Sequence, residues 1–245
     1  MTWWEALLLI GGGLTAGSIN TVAGGGSMLT VPLLVLAGVP GTSANGSNRV
    51  GILASNMAAA ASFRRLGVDG LKHASRVLAP VVVGSLVGSF AVSRVLDDAA
   101  FERVFGFLMI PLVILTVRSP KVVANAQQWS PVTTGIVFLL VGIYGGAFQA
   151  GLGLLLVASL ARAGFDLVTA NSIKVIVNTA ITAVALPVFI LDGRIDWIPA
   201  LILAAGFVVG GWLGARLAVR GGETLIRRAM VVASLALAGR LIGLY

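Results

Sequence analysis

The chain carries the same local marks twice, 126 positions apart. Ser43-Ala44-Asn45 returns as Thr169-Ala170-Asn171, Ala37-Gly38 as Ala163-Gly164, and Gly84 and Gly88 as Gly210 and Gly214. A cation follows each Ser/Thr-Ala-Asn group, Arg49 in the first copy and Lys174 in the second. Between these marks stand long uncharged apolar runs, at 77–92, 104–117, 131–143 and 197–213. A hydrophobic chain that repeats itself in this way is expected to build a membrane protein from two halves, a plan that transporters use.

Hydrophobic residues make up 58% of the chain and charged residues 11%, less than half the roughly 25% usual in soluble domains. With a mean hydropathy of +1.00, essentially the whole chain belongs in a bilayer, and its 245 residues leave no room for a sizeable soluble domain. The first apolar segment lacks a basic leader and a small-residue cleavage site, so it reads as a retained membrane segment. Cysteine is absent, which excludes disulfides and thiolate chemistry. The net charge of +8 does not point to nucleic acid, because the cations are spread over short loops, where they act as topogenic signal.

The runs are too long and too continuous for strands of a membrane barrel, and a helix alone satisfies its own backbone in lipid. The expected fold is an all-α polytopic membrane protein of two inverted-topology repeats, with about 8–10 membrane segments that include broken or re-entrant helices. The first repeat covers 1–118, with segments near 6–22, 28–36, 52–63, 77–92 and 104–117. A linker follows at 119–130. The second repeat covers 131–245, with segments near 131–148, 152–160, 173–191, 197–217 and 225–244. The first two segments of each half are short and glycine-interrupted, so they form either two crossings or one re-entrant pair.

Loop charges set the orientation. The third and fourth segments of the first half are joined through Arg64, Arg65, Lys72 and Arg76, and the fourth and fifth of the second half through Arg216, Arg220, Arg227 and Arg228. Basic loops stay in the cytoplasm. The matching loops, 192–196 and 94–103, mix both signs and fall outside. Equivalent loops therefore lie on opposite faces, which is what inverted topology means.

Two constellations are candidates for chemistry. The first is the glycine break Gly24-Gly25-Gly26-Ser27, mirrored by Gln149-Ala150-Gly151-Leu152-Gly153. Glycines here would unwind the helix, and unwound backbone at membrane depth is tolerated only inside protein or beside a watery cavity. The broken ends would offer amide N–H groups and positive dipole ends to an anion. The paired glycines Gly84/Gly88 and Gly210/Gly214 instead have the small-x-x-x-small spacing of close helix contacts.

The second constellation is Asn45 with Arg49, paired with Asn171 and Lys174. Ser43, Asn45 and their counterparts read as helix caps. Arg49 and Lys174 would then stand in the first turn of their helices, where the macrodipole disfavours positive charge. Two such cations point to a shared negative partner, gripped bidentately by arginine and as a point charge by lysine, or else snorkel to the membrane interface. Asn56, Asn178 and Gln149 would line the same cavity or bond neighbouring helices. His73 falls in a basic loop and reads as solvated. No carboxylate sits unmistakably in mid-membrane, and no phosphate-binding loop or metal-ligand cluster is present, so no cofactor is expected.

From Gly17 to Pro32, through Leu33-Leu34 to Ser43-Ala44-Asn45, and more weakly at 145–154 and 169–171, the chain resembles the sulfite exporter TauE/SafE family of membrane proteins. The resemblance spans both halves. It implies a multi-pass transporter of the prokaryotic cytoplasmic membrane that carries small anions, typically sulfite, thiosulfate or organosulfonates. Ala23 and Ser27 around the first glycines, and Gln149-Ala150 in the second break, depart from the commoner family pattern. The reading that follows is a secondary transporter, not an enzyme, exporting a small anion by alternating access. Its substrate contacts would be Gly24, Gly25, Gly26, Ser27, Asn45, Arg49, Gln149, Gly151, Gly153, Asn171 and Lys174. The lipid bilayer is the expected surrounding, and a homo-oligomer is compatible with it. An anion channel or uptake carrier on the same fold, or a membrane-embedded enzyme, are the alternatives.

Overall fold

The computed structural model describes residues 2–22, 24–117, 129–162 and 165–220. Among them the chain forms nine helices and no strand: α1 (Trp3–Val22), α2 (Ser27–Leu36), α3 (Gly41–Arg65), α4 (Leu71–Val95), α5 (Asp98–Val117), α6 (Pro131–Ala147), α7 (Leu152–Arg162), α8 (Leu167–Leu191) and α9 (Trp197–Arg220). The expected last segment at 225–244, the linker residues 119–128, the pair Ala163-Gly164, and Ala23 lie outside the described residues.

Among the described residues three helices are long and apolar enough to cross a membrane, at Val77–Val95, Leu167–Leu191 and Trp197–Arg220. Each meets the roughly 20 residues that a helix needs to span the hydrocarbon core. Their outer faces keep Val83, Val87, Leu201 and Val208 exposed, and α5 and α6 do the same with Phe107, Ile114, Val132 and Leu140. The interior is correspondingly polar. Asn20, Thr21, Asn45, Asn48, Asn56, Gln149, Asn171, Asn178 and Thr182 are all buried, with Arg49 and Lys174 among them. In lipid such side chains belong inside the bundle, so this is an all-α polytopic membrane protein.

Helix partners cross between the halves. The most extensive packing joins α1 to α9 and α4 to α6, while α3 packs on α9 and α8, and α8 on α4. Small residues permit the close approach. A side chain at Gly84 or Gly88 on α4 would run into the carbonyls of Leu139 or Ile143 on α6. One at Gly210 or Gly214 on α9 would meet those of Leu14 or Ser18 on α1. Such contacts replace the hydrophobic drive that lipid does not supply.

The helices α3 and α8 lie antiparallel. The loop after α3 reaches the start of α8, where Ser172 Oγ donates to Val68 O at 3.3 Å. The loop after α8 reaches the start of α3, where Asp196 N donates to Ser47 Oγ at 2.8 Å. Both helices begin earlier than hydropathy places them. The stretch 41–51 of α3 is helical although polar, because its side chains are buried against other helices instead of facing lipid.

Candidate functional site

The two glycine breaks meet each other. After α1, the chain turns at Gly24 (φ +86°) and restarts as α2 with Gly26 at its cap and no side chain bonding the first amides. After α6, it turns at Gln149 and Gly151 (φ +59° and +60°) and restarts as α7. Gly153 N donates to Gly24 O at 3.1 Å. A Cβ on either glycine would collide with the backbone of the other. Positive φ and this contact together admit only glycine at Gly24.

Four helix ends thus converge at one place inside the bundle: the C-termini of α1 and α6, and the N-termini of α2 and α7. The C-terminal ends expose carbonyls and carry the negative end of the macrodipole. Lys174 Nζ donates to Asn20 O at 2.8 Å and Thr21 O at 2.7 Å, at the end of α1. Its third proton goes to Asn171 Oδ1 at 2.7 Å. Arg49 does the same for α6, with Nη1 donating to Gly145 O at 3.2 Å and Nη2 to Gly146 O and Ala147 O at 2.6 and 3.2 Å. Asn45 Nδ2 adds a bond to Ala147 O at 2.8 Å. The acceptors Asn20 and Thr21 stand 126 positions before Gly146 and Ala147, so each cation closes the equivalent broken helix of the opposite half.

This placement corrects one expectation. Arg49 and Lys174 do not occupy the first turn of their helices, since α3 starts at Gly41 and α8 at Leu167. They lie about two turns in. Ser43 and Thr169 are not caps either. Pro40 precedes α3 with no side-chain cap bond, and Asp166 caps α8 by accepting from Val168 N and Thr169 N, each at 3.0 Å. The cations stand with a dipole after all, but that dipole belongs to another helix.

The other candidate residues surround this point. Gly25, Gly26 and Ser27 are buried at the start of α2. Gln149 holds a left-handed backbone uncommon for a non-glycine residue; its Nε2 donates to Asn178 Oδ1 at 3.1 Å and Thr182 Oγ1 at 2.6 Å. Gly151 holds one of the positive φ angles of this turn, and a Cβ there would meet the Leu112 side chain. Asn20 Nδ2 donates to Asn56 Oδ1 at 3.3 Å, and Thr30 Oγ1 donates to Asn48 Oδ1. Thr182 was missed from sequence, and Asn48 was read only as part of the polar stretch that leads to Arg49. Their signal is the repeat itself, for Asn48 stands 126 positions before Lys174, and Thr182 the same distance after Asn56.

Arg49 and Lys174 are both fully buried, Arg49 under the Phe189 ring at 4.6 Å. Among the described residues the one ion pair is Arg94–Asp192 at 3.2 Å near a helix end, so neither buried cation has a carboxylate against it. Among the described residues Arg49 Nε, Asn48 Nδ2 and Asn56 Nδ2 are buried donors without a partner, as Asn45 Oδ1 and Gln149 Oε1 are buried acceptors and Thr21 and Ser55 buried hydroxyls. Buried charge and buried unpaired donors are costly. The arrangement is a point between two broken helices that holds two buried cations and unpaired polar groups of both kinds.

A helical membrane bundle whose broken helices meet over buried polar groups is the architecture of a membrane transporter. The chain belongs to the sulfite exporter TauE/SafE family, whose model matches residues 9–241. It is similar to a "Probable membrane transporter protein" of Haemophilus influenzae, 28% identical over 234 residues, which cover 94% of this chain and 91% of that protein. "Probable membrane transporter protein ORF9" of a Sinorhizobium species is 29% identical over 232 residues, 93% and 88% of the two chains. "Probable membrane transporter protein YfcA" of Escherichia coli K12 is 28% identical over 235 residues, 94% and 86%. The family and these relatives are transporters rather than enzymes.

Proposed function

We propose that this transporter carries a small anion, most simply a sulfur oxyanion or organosulfonate, and exports it across the prokaryotic cytoplasmic membrane. The observation that carries the reading is the pair of fully buried cations with no carboxylate against either among the described residues. Two positive charges at low dielectric require negative charge nearby. Lys174 spends all three protons on protein acceptors, while Arg49 keeps its Nε–H free for a ligand. The N-terminus of α2 has no side-chain cap, although Met28 N and Leu29 N bond the carbonyls of Gly25 and Gly26, and it adds a positive dipole end of the kind that holds anionic groups.

The halves form two inverted repeats that rock against each other around this point. Reciprocal capping by Arg49 and Lys174, exchange of packing partners, and the antiparallel lie of α3 and α8 all support that reading. A membrane potential negative inside drives an anion outward, which favours export.

The test is flux in proteoliposomes with sulfite, thiosulfate and taurine, at zero and imposed potential. Saturable flux with counterflow, faster toward the positive side, is expected. Unsaturable flux without counterflow would replace the carrier with a channel. Separate R49Q and K174Q variants, folded and inserted, should each lose binding of the transported anion; unchanged binding in both refutes the charge assignment.

A further inference from the structure

At the end of α3 and α9 that bears the basic residues, away from the broken helices, lies an open groove of about 400 Å³ lined by Ala58, Ala61, Ser62, Arg65, Val208, Val209 and Trp212. Its origin is local. The two helices run side by side in the same direction, Gly51 against the Phe207 ring and Gly211 against the Ser55 backbone. Gly211 brings them into contact at that level. One residue further, Trp212 joins the lining of the groove, and α3 offers only the small side chains of Ala58 and Ala61 there. The result is an apolar trough that opens where lipid lies.

The mouth of the trough is cationic. Arg65 stands in the last turn of α3, and Arg216, one turn beyond Trp212, lays its guanidinium over the indole at 3.6 Å from the ring centroid. Neither has a carboxylate partner among the described residues. Stacking on an indole holds Arg216 in place while leaving its edge N–H groups free. Arg64 and Arg65 share the basic loop that topogenic charge puts on the cytoplasmic side, where the leaflet is rich in anionic lipid.

We propose that this groove is a binding site for an anionic phospholipid of the inner leaflet. An acyl chain lies along Ala58, Ala61, Val208 and Val209, and the phosphate bridges Arg65 and Arg216. Along α9 the chain runs from Val208 and Val209 to Trp212 and then Arg216, and along α3 from Ala58 and Ala61 to Arg65, in the order that a phospholipid presents acyl chain, glycerol and phosphate. A soluble phosphate would meet the arginines but would leave the trough unused. This site is separate from the central one and does not depend on which substrate is carried.

Trp212 is itself a probe of the groove. In a variant with Trp3, Trp4, Trp129 and Trp197 changed to Phe, brominated phosphatidylglycerol in mixed nanodiscs should quench Trp212 at a lower mole fraction than brominated phosphatidylcholine. Removing each arginine, as R65Q or R216Q, should weaken that preference about fivefold. R64Q, whose side chain is outside the groove, should leave it intact. A61F fills the trough while keeping both charges, and should abolish the preference in a protein that still folds. Equal quenching by the two lipids, or an R64Q effect as large as that of R65Q, overturns the proposal. Displacement of the lipid by millimolar glycerol 3-phosphate would instead assign the arginines to a soluble phosphate and equally overturn it.

Discussion

Gly24 and Gly153 lie backbone to backbone, with Gly153 N donating to Gly24 O at 3.1 Å. They come from opposite halves of the chain and from two different helix breaks. This one bond ties the restart of α7 to the end of α1, so the breaks form a single joint.

The joint predicts a severe effect for a small change. Gly153→Ala would drive a methyl group into Gly24, and overpacking of that kind costs about 1–3 kcal/mol. A lower melting temperature in detergent and loss of transport are expected. Gly135→Ala, where nothing lies nearby, should leave both unchanged.

The cations predict a coupling across the halves. Lys174→Gln would leave the carbonyls of Asn20 and Thr21 without their charged donor, and bonds to charged groups contribute about 1.5–3 kcal/mol each. Hydrogen exchange should rise at the end of α1, in the half that does not carry the substitution. For Arg49→Gln the rise should appear at the end of α6. Exchange that rises only around the mutated helix would contradict the crossed arrangement.

Gln149 tests which of two effects wins. Gly at this position relieves a left-handed backbone that costs a non-glycine residue about 1–2 kcal/mol. It also removes two side-chain hydrogen bonds, at about 1 kcal/mol each, and strands Asn178 Oδ1. Gln149→Gly should therefore be near neutral in stability, within about 1 kcal/mol, yet altered in substrate selectivity. Thermal unfolding and a competition assay among oxyanions separate the two outcomes.

Orientation is directly testable because the chain has no native cysteine. His73→Cys and Asp97→Cys both fall at exposed positions. An impermeant maleimide added to intact cells should label the second and spare the first until the membrane is opened. The opposite pattern would reverse the assigned topology.

Acid sensitivity should reside at the helix ends. Asp192 accepts from Ser93 Oγ at 2.6 Å and pairs with Arg94; chiefly the Ser93 hydroxyl, then Arg94, holds its carboxyl below the ordinary range. Asp166 is lowered in the same sense by Thr169 first and by the amides it caps. A depressed carboxylate stabilises the fold above its unfolded pKa, and that contribution is lost as pH falls through the folded value. Below about pH 4 melting temperature should fall, and the D192N and D166N variants should show a shallower fall. Asp166→Ala should also lower stability by about 1 kcal/mol through loss of the cap.

Membrane residence, helicity and the marks of duplication were legible in the sequence, because each is written in local chemistry. Apolar runs, glycine clusters and loop cations need no partner to be recognised. The candidate residues could be chosen for a similar reason, since Arg49 and Lys174 stand out as charges beside polar helix segments. Their role was not legible. Arg49 opposes its own helix dipole only if the helix starts at about Asn45 or later, whereas α3 begins at Gly41 after Pro40 and runs through a polar stretch that hydropathy places in a loop.

By itself, then, the sequence determined a polytopic helical membrane protein resembling the TauE/SafE family, with two glycine breaks and a cation after each Ser/Thr-Ala-Asn group. Only the tertiary structure decided that Lys174 closes α1, that Arg49 closes α6, and that Gly24 rests on Gly153. Helix ends carry unpaired carbonyls whatever their sequence, and which cation reaches them is fixed by how distant helices pack. That relation spans 154 residues for Lys174 and Asn20, and it exists only once the halves have come together.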